Sequence, residues 1–178
     1  MNLNEFKEEV HRNAIEHGWW GPEYTDATVI ALIHAVISEA FEEWRDERPM
    51  VWHRCDLDST RCGEPCVRIF PNKNCDYRNS KPEGIAVELI DVVLRILDTA
   101  AAWHVEIGPL TIGIQTIREM DLPTLAAVLH FETSHLLDPR FQIRNSNAFG
   151  RMTASISFIA TWLEAQGVDT EAILREKH

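Results

Sequence analysis

KPEGIAVELIDVVLRILD, residues 81–98, is the stretch on which the fold turns. Four charged residues, Glu88, Asp91, Arg95 and Asp98, interrupt a run that is otherwise Ile, Val, Leu and Ala. At about 100° per residue these four fall within about 80° of one another, so on a helix they form one narrow stripe. A helix that is apolar on most sides is interior, and interior charges are costly unless they are paired, hydrogen-bonded or bound to a cation. The stretch therefore predicts a buried helix, opened by Pro82 at its first turn and running to about residue 106. It also predicts a partner for the stripe.

The 178 residues suffice for one domain with a sizeable core. A formal charge of −11 disfavours a nucleic-acid polymer or an anionic membrane as partner, and suits a protein whose acids hold cations. No apolar run reaches the length of a membrane span. The opening MNLNEFKEEVHRNAIEHGWW reads as an amphipathic helix containing acids rather than a signal peptide, so a cytoplasmic location is expected.

Outward from the striped helix, helical spacing places Phe6, Val10, Ala14 and Ile15 on one face of a helix over 3–17, stopped at Gly18. Val29, Ile33, Val36, Ala40 and Trp44 mark a second over 26–47, with Thr25 or Asp26 as its cap. DLPTLAAVLHFETSHLL, NAFGRMTASISFIATWLEAQG and DTEAILREKH read as later helices, with Gly167 as a stop. No strand-period run competes. The fold class expected is all-α: a bundle of about five to six helices in one domain, with 120–178 extending the bundle.

Residues 51–80 break the helical period and form an irregular insertion between the second and third helices. It holds all four cysteines, Cys55, Cys62, Cys66 and Cys75. Two readings stand: reduced free thiols, and a structural Zn²⁺ in which His53 could replace one thiolate. The spacing lacks the close C-x2-C pairs of common zinc knuckles and favours the thiols.

The second helix carries Glu39, Glu42, Glu43 and Asp46. Glu39 lies three and four residues from Glu42 and Glu43, so the three share a face. Glu88 and Asp91 are also three apart. Two antiparallel helices presenting E-x-x-[ED] pairs can place carboxylates around one point, where they would repel one another unless a divalent cation joined them. All-oxygen donors suit Mg²⁺, with Mn²⁺ as the alternative. For Glu43 and Asp46 a solvated face, with local Glu–Arg pairs in EEWRDER, explains the charges as well. Pairing of Arg95 with Asp91 is the structural alternative for the stripe.

These pairs, together with HGWW after the first helix, LIHAVISEAFEEWRD on the second and GVDTEAILREKH near the end, resemble the MazG-like all-α nucleoside triphosphate pyrophosphohydrolases. The likeness spans most of the chain and is most specific over 81–98. It implies a homodimeric or homotetrameric helical bundle that cleaves a nucleoside triphosphate to monophosphate and pyrophosphate with Mg²⁺. Carried over residue by residue, it implies metal ligation by Glu39, Glu88 and Asp91. The family's first ligand position falls on Val36, which has no donor atom, so Glu42 is expected to assist. Glu42 or Glu43 would then deprotonate the attacking water, Lys81 and Arg95 would contact phosphate oxygens, and Trp19 and Trp20 would stack a base. Asp98 would anchor Arg95, and His34 reads as an interior histidine.

Two competing classes remain open on these residues. Val36 suits a nucleotide-binding or structural relative with weakened or lost catalysis. Glu8/His11 and Glu132/His135 form the E-x-x-H pairs of a ferritin-like di-iron bundle, although their order along the chain is wrong for it.

Overall fold

The computed structural model describes residues 2–54, 81–138, 143–144 and 147–177. Among these residues there are seven helices: α1 (Leu3–Glu16), α2 (Asp26–Arg45), α3 (Ile85–Ala102), α4 (Gln115–Arg118), α5 (Leu122–Ser134), α6 (Ala148–Ala165) and α7 (Thr170–Lys177). The chain is all-α, as its periodicity predicts. The four cysteines lie outside the described residues.

Helix α3 is the interior element. Ile90, Ile96 and Leu97 are at most 1% exposed, and burial of each such side chain contributes about 1.5–3 kcal/mol. It packs against α1, α2, α6 and α7, while α2 also packs on α5. Ile33 and Ile37 of α2, Leu125 and Leu129 of α5, and Ile159 and Leu163 of α6 complete the core. On α3 between Ile85 and Ala101, only Asp91, Leu94 and Arg95 are more than marginally exposed.

The starts of the helices follow their capping residues. The Asn2 side chain accepts from the Asn4 amide, Thr25 Oγ1 from the Thr28 amide at 3.1 Å, and Asp121 Oδ1 from the Thr124 amide at 2.9 Å. Gly18 (φ 73°) closes α1, which lets the Trp19 amide reach the Ala14 carbonyl at 3.0 Å.

The start of α3 departs from expectation. Pro82 is not in a first helical turn but in a short strand, β2 (Lys81–Glu83), antiparallel to β1 (Trp52–Arg54) with His53 opposite Pro82. Gly84 then turns the chain at φ 112°, and Ala86 donates to the Met50 carbonyl at 2.9 Å. The helix also stops earlier than expected, with Trp103 as its C-cap and His104 at φ 54°. A second two-stranded ladder pairs β3 (Leu137–Asp138) with β4 (Ile143–Arg144).

Beyond α3 the chain runs without helix to residue 114, held by side chains rather than by regular structure. Thr153, Ser157 and Thr161, four apart on α6, accept the amides of Gly108, Thr111 and Gly113 at 3.0, 3.2 and 3.3 Å. From α1, Lys7 Nζ donates to the Val105 carbonyl at 2.6 Å and to Glu106 Oε1 at 3.3 Å, although the residue is only 2% exposed. A buried ammonium just past the C-terminal end of α3 is favourably placed for the helix dipole. No helix among the described residues is long and apolar enough to cross a membrane.

Candidate functional site: a cleft between α1, α2 and α3

Helix α2 contributes Leu32, Ala35, Val36 and Glu39, and α3 contributes Asp91, Leu94, Arg95 and Asp98, to one cleft of about 470 Å³. Both sets have the i, i+3, i+4, i+7 spacing that lines one helical face. Val10, Asn13 and Ala14 of α1, with Trp19 just after it, form the remaining wall. Six residues singled out from the sequence as site candidates or ligand positions thus share one cavity: Trp19, Val36, Glu39, Asp91, Arg95 and Asp98. Glu39 is exposed, and Asp91 and Arg95 are half-buried.

Its inner end is built on Asp98, which is only 7% exposed. His11 Nδ1 lies 2.7 Å from Asp98 Oδ1, and the Trp20 indole N–H donates to both carboxylate oxygens at 3.0 and 3.1 Å. Burial raises the Asp98 pKa. The His11 and Trp20 hydrogen bonds, and the charges of His11 and Arg95, oppose that rise without cancelling it. His11 packs edge-on to Trp20 at 5.1 Å between ring centroids. The Arg95 guanidinium lies over the Trp19 ring, 5.1 Å from its centroid, while Trp19 itself is 49% exposed. Arg95 therefore rests on an aromatic face inside the cleft, near enough for its charge to act on Asp98.

The other expected site residues lie elsewhere. Glu88 is buried at 8% exposure and does not line the cleft; Glu88 and Asp91 each have an interaction partner. Glu42 is exposed, with Arg45 at 4.0 Å, and Glu43 accepts the Trp52 indole N–H at 2.8 Å. Neither lines the cleft. The backbone of Lys81 belongs to β2. Trp20 is engaged with Asp98. Among the described residues no group of three or more His, Cys, Asp and Glu is arranged to hold a metal ion.

The E-x-x-H residues serve separate contacts. His11 holds Asp98, Glu132 pairs with Arg151 at 2.7 Å, and His135 Nδ1 bonds the Phe131 carbonyl at 2.7 Å. His34 is partly buried, and a second histidine satisfies it. Its Nδ1 lies 2.7 Å from that of His130 on α5, the rings stack at 5.0 Å, and burial lowers both pKa values, with the charge of His34 lowering that of His130 further. His130 and the Asp98-holding role of His11 went unread in the sequence, because each pairing joins residues far apart in the chain.

The donor set can be tested against Mg²⁺. Besides the inner Asp98, the cleft offers two carboxylates, Glu39 and Asp91, and a hydrocarbon at Val36. Mg²⁺ commonly uses one or two protein carboxylates and takes its remaining ligands from water and phosphate. The residues fit an ion carried in with a polyphosphate, and do not fit an ion caged by protein alone. No known protein family, curated protein or solved structure matches the chain.

Proposed function

We propose that this cleft binds a nucleoside triphosphate with Mg²⁺, or Mn²⁺ in its place, and hydrolyses it to the monophosphate and pyrophosphate, as the resemblance to MazG-like enzymes implies. The observation that carries the reading is the meeting of Glu39 and Asp91, from facing helices, with Arg95 stacked on Trp19 in one cavity. Glu39 and Asp91 would hold the metal of the metal–triphosphate complex. Bound there, the ion would offset phosphate charge and acidify the attacking water. Arg95 supplies hydrogen-bond donors for phosphate oxygens, and its stacking on Trp19 limits how far it can swing. The exposed Trp19 ring gives a nucleobase an apolar surface at the cleft. The same reading expects a cytoplasmic homodimer or homotetramer.

A second reading, nucleotide binding with weak or no turnover, is favoured by one observation: Val36 stands in the cleft wall where a third oxygen ligand would serve. A panel of ribo- and deoxynucleoside triphosphates with Mg²⁺, resolving pyrophosphate from phosphate, tests both. Pyrophosphate and monophosphate release that Asp91→Asn abolishes supports hydrolysis. Binding without turnover supports the second reading, and absence of both overturns the assignment. Val36→Glu adds a carboxylate to the wall. It is expected to raise Mg²⁺-dependent turnover about tenfold or more, equivalent to at least about 1.4 kcal/mol.

A further inference from the structure

The side of α2 turned away from the cleft carries a second arrangement of donor atoms. His34 is two positions from both Leu32 and Val36, which is about half a turn round the helix, and there it meets His130 of α5. Both rings are half-buried. Their backbones are anchored, because Ile33 beside the one and Leu129 beside the other are fully buried in the core. The two Nδ1 atoms face each other at 2.7 Å.

The protons on this pair can be placed. The Ser134 hydroxyl donates to the His130 carbonyl at 2.8 Å, so towards His34 Nε2, at 3.4 Å, it accepts. His34 therefore carries its proton on Nε2, which leaves the Nδ1 of the neutral ring bare. That lone pair accepts the Nδ1–H of His130. Two cationic rings would set N–H against N–H at this distance, and burial lowers both pKa values, so the pair is neutral near pH 7. A neutral imidazole whose far N–H meets an acceptor is the form in which histidine ligates a metal.

The separation selects the metal. With bonds of about 2.0–2.1 Å, two nitrogens at adjacent corners of a square lie about 2.9 Å apart, against about 3.3 Å in a tetrahedron. Exchanging the shared proton for an ion thus needs about 0.2 Å of opening in a tetragonal site and about three times that in a tetrahedral one. The displaced proton is kept, because neutral His130 then carries it on Nε2. No third His, Cys, Asp or Glu joins the pair among the described residues, so water supplies the remaining ligands.

We propose that His34 and His130 form a binding site for Cu²⁺ or Ni²⁺, in preference to Zn²⁺, with their Nδ1 atoms in adjacent coordination positions. The site is separate from the nucleotide cleft, and its test needs no catalytic activity.

The full chain, its four cysteines blocked with iodoacetamide so that thiolates do not compete, is titrated with Cu²⁺, Ni²⁺ and Zn²⁺. One tightly held Cu²⁺ per chain, with an electron paramagnetic resonance spectrum split by two equatorial nitrogens, is the expected result. His34→Gln or His130→Gln should each weaken binding at least about tenfold, the least that losing even a partner of a ligand costs, and leave one splitting nitrogen. Ni²⁺ should bind more tightly than Zn²⁺. Undiminished copper binding by either folded variant overturns the site, as does a spectrum of the unmutated chain without two-nitrogen splitting. Zn²⁺ binding more tightly than Ni²⁺ overturns the coordination geometry. Circular dichroism checks the folding of each variant, and if one fails to fold the other decides.

Discussion

Asp98 shows what one residue of the stripe does. The sequence demands a partner for a carboxylate on an interior helix, and the structure supplies two, His11 and Trp20, from 87 and 78 residues away. Asp98→Ala would leave the Trp20 indole N–H and His11 without their acceptor in a buried place. A cost of about 2–4 kcal/mol is expected, read as a lowered midpoint of urea unfolding. Asp98→Asn should cost clearly less, because burial already favours the neutral form of this side chain and an amide oxygen still accepts from Trp20. Equal losses for the two variants would show that the carboxylate's charge, rather than its acceptor, matters here. Spacing along one helix identified the need for a partner. It could not identify the partner, because a ring on another helix leaves no trace in local periodicity. Local sequence alone thus presents Trp20 as a base platform equal to Trp19, whereas only Trp19 lines the cleft.

At the scale of elements, the same limit separates what was legible from what was not. Period-3.6 patterns locate the long helices, and Thr25, one of the two caps the sequence offers for α2, places its start where it occurs. The entry to α3 was misread because proline suits a first helical turn and a strand edge equally, and the choice between them depends on residues 52–54 pairing across the insertion. Gly84 is the element that makes this entry work. A Cβ there would meet the Pro49 and Met50 carbonyl oxygens at 2.7 and 2.9 Å, in a backbone conformation with φ 112°. Gly84→Ala is therefore expected to destabilise the fold by at least about 2 kcal/mol. Gly18→Ala, at φ 73° with open space around it, should cost only about 1 kcal/mol. Thermal melts of the two variants side by side check the ranking.

Across the whole molecule, acid sensitivity should begin with histidines rather than carboxylates. Both His34 and His130 have pKa values lowered from 6.5, so below that pH the unfolded chain binds more protons than the folded one. Their contribution to stability is fully present above about pH 6.5 and is lost as pH falls through their folded values. Asp98, with its pKa raised above 3.8, acts in the opposite sense: the folded state takes up that proton more readily, which tempers the loss at lower pH. Melting temperature should thus decline between pH 7 and 5, and His130→Gln should flatten that decline. An unchanged slope in the variant would remove the pair as its cause.

Lys7, the ammonium sealed against the Val105 carbonyl, turns the fold into its own chemical timer. An acylating reagent needs an uncharged, accessible amine, and this one is only 2% exposed. Its labelling rate under native conditions then reports how often α1 lifts away from the segment that follows α3. Peptide mass spectrometry should find Lys7 modified about a hundredfold or more slowly than in the urea-unfolded chain. A rate close to that of the unfolded chain would mean that α1 is not seated.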